Sequence, residues 1–474
     1  MAATPTSERS LKLTLWLVAI GIFMQTLDTT VVNTALPAMA ASLGESPLRM
    51  QSVVIAYTLT MAVLIPASGW MADRFGTRIV FFSAIVLFTA GSALCASAQS
   101  LNQLVAWRVL QGAGGAMLLP VGRLAILRTF PRERLLPAMS FVAIPGLVGP
   151  LVGPTVGGWL SEWASWHWVF LINIPVGIAG GIATWLHLAD SREAHPHRFD
   201  LGGYLMLAFG MAAISLALDG LSGAGMRHAP AFVLLIFGIV AVVAYWLHAH
   251  RKPDPIFPPD LFAIHTFTVG MLGSLFARIG AGAMPFLLPL LLQVSLGYSP
   301  SHAGMMMLPV AAAGMLSKRI ATPLITRLGY RSVLVWNTLL VGSLMAVFAL
   351  IGPTQPVGVH LLLLAVFGAV NSLQFTAMNT LCIKDLQPHN ASSGNSLFSM
   401  IQMLSMSLAV TTAGAVLSAF TRVTDHGNPG DTLAAFHATF LCVGLITAAS
   451  AWIFWQLSPD VTPTKRKEVE IDVA

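Results

Sequence analysis

The chain predicts an all-α membrane protein in which two six-helix bundles flank two additional transmembrane helices. Three observations predict it. Apolar residues make up 56% of the 474 residues and charged residues only 9%, against about 25% charged in a soluble domain. The apolar residues collect into windows of roughly 20, long enough to cross about 30 Å of hydrocarbon as helices that satisfy their own backbone polar groups. Polar, proline-bearing runs at 190–200 and 250–260 divide these windows into sets of six, two and six.

Fourteen spans follow in order. Spans 13–36, 51–72, 79–98, 102–124, 138–161 and 167–188 make a first bundle within 1–190. Spans 201–219 and 230–249 lie with their linkers in 191–260. Spans 265–292, 302–325, 332–352, 357–381, 394–420 and 434–457 make a second bundle within 261–474, which ends in a tail. The separators within 138–188 and 302–352 are the least distinct. The first span has basic residues ahead of it and Ala38, Met39 and Ala40 near its end, a superficial signal-peptide pattern. It is too long for the apolar core of a signal and contains Asp28, so it reads as a crossing.

An even number of crossings puts both termini on one side, and the basic residues identify that side as cytoplasmic. Of the 25 Lys and Arg, only Arg49, Arg227 and Arg422 fall in loops on the opposite side, while Arg108 and Arg278 lie inside spans. The rest cluster with the termini, a strong positive-inside bias. These anchoring charges account for the net charge of +6, so no nucleic-acid partner is needed to explain it. The basic tail at 464–468 and the loop residues His195 and His197 read as solvated. Cys95, Cys382 and Cys442 fall in or beside apolar spans without CxxC or metal-ligand spacing, so they read as small core hydrophobes. No metal or other cofactor is implied.

Charges inside spans are functional candidates because lipid expels them unless something within needs them. Asp28 lies about 22 Å from the inner start of the first span and Arg108 about 9 Å from the outer start of the fourth, at 1.5 Å per residue. Across about 30 Å of hydrocarbon those depths coincide. Low dielectric disfavours a lone carboxylate and a nearby guanidinium favours it, so water access and the Arg108 distance together toggle a proton on Asp28. The alternative is a static ion pair that orients two helices. Arg278 interrupts the ninth span near its middle. If both guanidinium groups face a central cavity, that cavity suits an anion. Gln293, Asn371, Gln374 and Asn379, with Asn395 and Gln402, are the polar candidates to line it, and Trp107, Phe276, Phe286 and Phe375 the aromatic ones.

Two strings stand out between the spans. Residues 69–78 read GWMADRFGTR, with a weaker echo TRLGYR at 326–331 after the tenth span. Matching loops in two halves point to duplicated bundles with a substrate site between them at mid-membrane. In the first loop Gly69 lets helices approach, Asp73 can accept from a neighbouring helix start, and Arg74 and Arg78, on either side of Gly76, can bridge to carboxylates across an inner gate. Residues 146–158 read GLVGPLVGPTVGG. Pro150 and Pro154 remove backbone bonds, while Gly146, Gly149, Gly153, Gly157 and Gly158 give a flat face, so the fifth span should bend and pack closely.

The first string resembles the loop motif GxLaDrxGrkxxl of the major facilitator superfamily, and the second is similar to that family's antiporter motif gxxxGPxxGGxl. Residues 104–115, LVAWRVLQGAGG, resemble its motif lxxxRxxqGxgaa, whose Arg, here Arg108, is implicated in proton transfer. Residues 27–37, LDTTVVNTALP, and 166–177, WHWVFLINIPVG, are similar to patterns of the fourteen-span drug:proton antiporters, with His167 where Arg is usual. The resemblance covers nearly the whole chain. It implies a monomeric, multi-pass, proton-coupled exporter of the bacterial cytoplasmic (inner) membrane, with a small-molecule substrate of the multidrug type, protons and lipid as its partners. An exporter of an organic anion or metal chelate, such as citrate or iron-citrate, is the rival reading, and a non-transporting sensor on the same scaffold a third. Nothing resembles a Walker loop, which argues against ATP as the energy source. No nucleophile with a base, metal cluster or paired carboxylates supports an enzyme. The two additional helices carry Asp219 at an outer edge, where it reads as solvated.

Overall fold

The structure, a computed structural model, describes residues 8–193, 198–221, 228–387, 391–424 and 431–459. His195, His197, Arg227 and the tail at 464–468 lie outside the described residues. Among the described residues every regular element is helical. The first group comprises α1 (Glu8–Leu43), α2 (Gln51–Phe75), α3 (Thr77–Ala96), α4 (Leu101–Thr129), α5 (Arg132–Trp163), α6 (Trp168–Leu171) and α7 (Asn173–His187). An antiparallel pair follows, α8 (Leu201–Leu221) and α9 (His228–Ala249). The last group comprises α10 (His265–Ala281), α11 (Met284–Leu290), α12 (Pro300–Met306), α13 (Leu308–Val347), α14 (Val357–Lys384), α15 (Ala391–Thr424), α16 (Asp431–Ala449) and α17 (Ala451–Trp455).

Thirteen helical stretches among the described residues are long and apolar enough to cross a membrane. The difference from the sequence reading lies in one of them, Pro300–Leu350, with 51 residues. As a straight helix it would extend about 76 Å, more than twice the hydrocarbon thickness. It is not straight: at Gly329 (φ 76°, ψ 159°) two helices meet inside α13. Gly76 makes the same turn between α2 and α3 (φ 98°, ψ 146°). An L side chain is strained in that region and glycine is not, so one residue suffices to reverse the chain. Both glycines belong to the loop strings that echo one another in the sequence.

α1 packs along α5, and α4 lies between α2 and α3; in the second group α13 packs on α14 and α16 while α15 packs on α10. The two groups meet along α2 with α15 and along α5 with α12. The α8–α9 pair rests on the α2–α15 side. Ser215 Oγ lies 3.1 Å from Ser407 Oγ of α15, and Gln51 Nε2 of α2 donates to Asp219 Oδ1 at 2.8 Å. Asp219 is therefore half-buried against the first group, not a solvated edge residue, because the pair is anchored at that end. At its other end Asp200 caps α8, accepting from Gly203 N–H at 3.1 Å, His248 Nε2 at 2.9 Å and Lys252 Nζ at 3.1 Å. Burial pushes this carboxyl up, but the His248, Gly203 and Lys252 donors outweigh it and hold Asp200 below the usual carboxylate range.

Candidate functional site

Asp28 and Arg108 do meet. Arg108 Nη1 lies 2.6 Å from Asp28 Oδ2, and their side chains are 1% and 0% exposed. The pair sits in a network drawn from five helices of the first group. Arg108 Nη1 also donates to Gln111 Oε1 at 2.7 Å, which turns the Gln111 amide so that its Nε2 donates to Asp28 Oδ1 and to Ser92 Oγ, each at 2.8 Å. Asn173 Nδ2 of α7 reaches Asp28 Oδ1 at 3.4 Å and Ser92 Oγ at 3.3 Å. Arg108 Nε donates to the Val53 carbonyl at 3.2 Å, and its guanidinium stacks over the Tyr57 ring at 4.0 Å. Arg108, Gln111, Asn173 and the Val53 carbonyl thus answer the two buried charges, which would otherwise cost several kcal/mol.

Sequence reasoning did not single out Gln111, Asn173, Ser92 or Tyr57 as site residues. Gln111 carried a signal, since it stands three residues after Arg108 and shares its helix face. Asn173 lay inside a string noted for other reasons. Ser92 and Tyr57 gave no sign, because nothing local distinguishes them from packing residues.

The expectation of a wet pair needs correction. A cavity of about 900 Å³ lies between the two groups, with exposed Arg123, Arg198 and Asp254 toward its mouth and Gln25 and Gln402 among its lining residues. Neither Asp28 nor Arg108 lines it. Gln25, one helical turn before Asp28, stands between the cavity and the pair, and its side chain is buried. In this conformation the carboxylate is sealed because its donors fill the space around it.

The predicted substrate residues divide. Arg278 Nε donates to Ser274 Oγ at 2.9 Å and Nη2 to Asn379 Oδ1 at 3.4 Å, and the guanidinium lies 4.1 Å from the centre of the Phe375 ring. Gln402 Nε2, from the cavity wall, donates to the same Asn379 oxygen at 2.9 Å. Arg278 thus sits one residue behind the wall, and no carboxylate pairs with it among the described residues. Gln293 is elsewhere: in a π-helical turn, Leu291–Ser295, it donates to the Thr34 carbonyl of α1 at 2.9 Å. Gln374 is spent on packing, bonded to Asn337 at 2.8 Å and Thr338 at 2.6 Å. Asn371 is half-buried and outside the cavity lining, and Phe286 is fully buried.

The loop at 69–78 is organised differently from expectation. Asp73 accepts from Arg128 Nη2 at the end of α4, at 2.5 Å, and Arg128 also lies 3.6 Å from Glu193. The basic partner of Asp73 is therefore a residue that the loop string does not contain, reached because α2 and α4 end at the same level. Arg78 donates its backbone N–H to Asp190 Oδ1 at 3.3 Å and sets its guanidinium 5.8 Å from the Trp185 ring centre, while Arg74 is exposed. Gly69 is not a close-approach point here, since nothing lies within 4 Å of where its Cβ would be and it lines the cavity.

The string at 146–158 has two working faces. Gly149, Gly153 and Gly157, four residues apart, bring α5 so near α1 that a methyl on any of them would fall on Thr26, Thr30 or the Val31 carbonyl. Gly146 is looser, with Ile22 the only neighbour at 3.3 Å, and Pro150 is exposed. Pro154 and Gly158 face α12 of the second group, where Cβ atoms on Gly158 and Gly304 would fall on the Pro300 and Pro154 carbonyls. Thr155 Oγ1 donates to the Gly304 carbonyl at 3.1 Å, Ser301 N–H to Glu162 at 2.8 Å, and Thr34 Oγ1 to the Pro154 carbonyl at 3.0 Å. The Thr155 and Glu162 contacts, together with that of Gln293 to Thr34, close the end opposite the cavity mouth. His167, near that end, stacks on Trp166 at 3.8 Å.

Two helical groups that meet over a cavity open at one end and shut at the other make a membrane carrier. The chain belongs to the Major Facilitator Superfamily, whose family model matches residues 18–410, and it is a multi-pass membrane transporter, not an enzyme. It is 50% identical over 454 residues, 96% of this chain and 97% of the relative, to the "Putative multidrug resistance protein MdtD" of Pectobacterium carotovorum subsp. carotovorum (strain PC1). The protein of the same name from Yersinia enterocolitica serotype O:8 / biotype 1B is 50% identical over 455 residues, 95% of this chain and 96% of the relative. Among solved structures, a POT family transporter in complex with a thioalcohol-conjugated peptide matches with TM-score 0.70 at 15% identity, over 96% of this chain and 97% of that one. A bacterial homologue of the human lysosomal transporter Spinster, inward-facing and unoccupied, matches with TM-score 0.68 at 15% identity, over 95% and 97%. At these identities the likeness is one of fold.

Proposed function

We propose that the protein is a proton-coupled antiporter that exports small molecules of the multidrug type by alternating access, as a monomer in the bacterial inner membrane. The reading takes fourteen crossings, because the turn at Gly329 divides a stretch too long for one, and it places both termini in the cytoplasm on the strength of the basic loops. The cavity mouth, ringed by Arg123 and Arg198, then faces the cytoplasm and the α5–α12 contact seals the outside. The apolar side chains that α9 exposes, Phe232, Ile236, Phe237 and Val240 among them, face lipid.

In the proposed cycle residues 1–190 rock against 261–474, with the helices of 191–260 between them. Substrate enters from the cytoplasm. The rocking parts Pro154 and Gly158 from α12, opens the outer side, and lets Asp28 take up the proton that substrate release is exchanged for. Return to the inward-facing state restores the full set of donors around Asp28, which favours the ionised carboxylate and drives the proton inward. Gly69, Asp73, Arg74, Gly76 and Arg78 gate the cytoplasmic side: Asp73 braces α2 against α4 through Arg128, and exposed Arg74 is free to meet the second bundle when the cavity closes. Gly146 to Gly158 form the outer hinge and seal.

The observation that carries this reading is the carboxylate sealed one turn behind the cavity, held by a guanidinium at 2.6 Å. Asp28→Asn should abolish efflux driven by a proton gradient, by 100-fold or more, in everted vesicles that contain as much protein as wild type. Undiminished gradient-driven efflux would remove Asp28 from the mechanism.

One observation favours a different cargo. Arg278 keeps its guanidinium beside Ser274, Asn379 and Phe375, all neutral. A positive group near mid-membrane without a carboxylate suits an organic anion or its metal chelate, such as citrate or iron-citrate, better than a lipophilic cation. Under this reading Arg278→Ala should cut anion transport at least tenfold and leave cationic dye transport intact. Anion transport that is untouched by the change would end it.

A further inference from the structure

We propose that Asn173 is a positioning residue that sets how tightly Asp28 holds its proton, and that the break between α6 and α7 moves it toward and away from the carboxylate. The proposal rests on the reading of Asp28 as the proton carrier. Three donors reach Asp28 among the described residues. Arg108 and Gln111 both come from α4 and lie at 2.6 and 2.8 Å. Asn173 alone comes from another element, at 3.4 Å. A donor at the long end of the hydrogen-bond range is the first to be lost when helices shift.

The position of Asn173 in the chain gives it that freedom. α6 stops at Leu171 and α7 starts at Asn173, with Ile172 between them. Pro175 is the cause. It has no N–H to offer the Leu171 carbonyl, so the helical ladder cannot run through this point. Ile172 itself keeps helical φ and ψ (−58°, −25°), so the chain holds its helical course here with the hydrogen-bond ladder open. The Asn173 side chain, 2% exposed, also contacts Ser92 at 3.3 Å, and Ser92 accepts from Gln111. Ser92 therefore links the movable donor to the fixed ones. With Asn173 engaged the carboxylate has three donors. When α7 swings away it keeps two, both on α4, and the proton is held more firmly. A pivot in the sixth crossing thereby changes the proton affinity of a group in the first, without moving the ion pair itself.

The test uses the full-length purified protein. Infrared difference titration of the Asp28 carboxyl stretch, assigned by its absence in Asp28→Asn, reads the midpoint directly, and proteoliposome exchange is followed across the same pH range. Asn173→Ala removes one neutral donor and should raise the midpoint by about half a unit to one unit, with the pH dependence of exchange shifted by the same amount. Asn173→Ser, whose hydroxyl can donate, should fall between the two. An unshifted carboxyl midpoint in Asn173→Ala overturns the proposal, even if its transport is slower, since slower transport alone is what lost packing would give. A shifted midpoint in a protein whose transport is indifferent to Asp28→Asn supports Asn173 as the positioning residue and overturns the coupling reading instead.

Discussion

Arg108→Ala should destabilise the first bundle by about 3–5 kcal/mol, because it leaves the Asp28 carboxylate buried without its counter-charge. The loss is larger than one ion pair. The guanidinium also satisfies the Val53 carbonyl, orients Gln111 and covers the Tyr57 ring, so its removal leaves several groups that water cannot reach. Thermal unfolding in detergent, followed by size-exclusion chromatography, should show the drop. Asp28→Asn combined with Arg108→Gln replaces the charges with neutral groups that can bond each other, and most of the stability should return. Transport should not. A double variant that is stable but inactive separates the structural work of the pair from its proton chemistry. An Arg108→Ala protein as stable as wild type would mean that the network bears little of the bundle's stability.

Gly158→Val should trap the carrier away from the state described here. A Cβ at this position falls on the Pro300 carbonyl, and the facing change, Gly304→Val, falls on the Pro154 carbonyl. Backbone atoms on both sides leave no flexible side chain to give way. Overpacking of this kind costs about 1–3 kcal/mol, which is roughly five- to 150-fold in a two-state population, since about 1.4 kcal/mol is a factor of ten. The expected result is closure failure at the α5–α12 end. In a cysteine-free background, Ser301→Cys should then react with a membrane-impermeant maleimide added outside at least tenfold faster than without the valine, and net transport should cease. Labelling that does not change would show that this contact is not the outer seal.

What the sequence disclosed, and what it withheld, follows from the physics of each feature. Spans are legible because hydrocarbon demands long apolar windows. The Pro300–Leu350 stretch blurred because its separator is short and a single glycine, Gly329, makes the turn. Asp28 and Arg108 were legible as partners because a charge in lipid needs a reason, and helical rise gives its depth. Asn173 and Ser92 were not, since polar residues in crossings usually pack helices, and only three-dimensional placement separates those that face a carboxylate. The same ambiguity misplaced Gln293 and Gln374, which bond Thr34 and Thr338 instead of lining the cavity. Arg128 was missed because it meets Asp73 across helix ends and not along one element. The role of α8 and α9 was invisible for a related reason: their anchors, Gln51 and Ser407, belong to other bundles.

The central claim is that substrate leaving and protons entering are one exchange centred on Asp28. The most direct measurement uses proteoliposomes that hold a pH-sensitive dye and a screened substrate, under an imposed pH gradient, with wild type beside Asp28→Asn. The account predicts that substrate efflux and inward proton flux appear together in wild type, collapse together when the gradient is dissipated, and are both absent in Asp28→Asn. Substrate efflux of equal rate with and without the gradient, or without any proton flux, would contradict it.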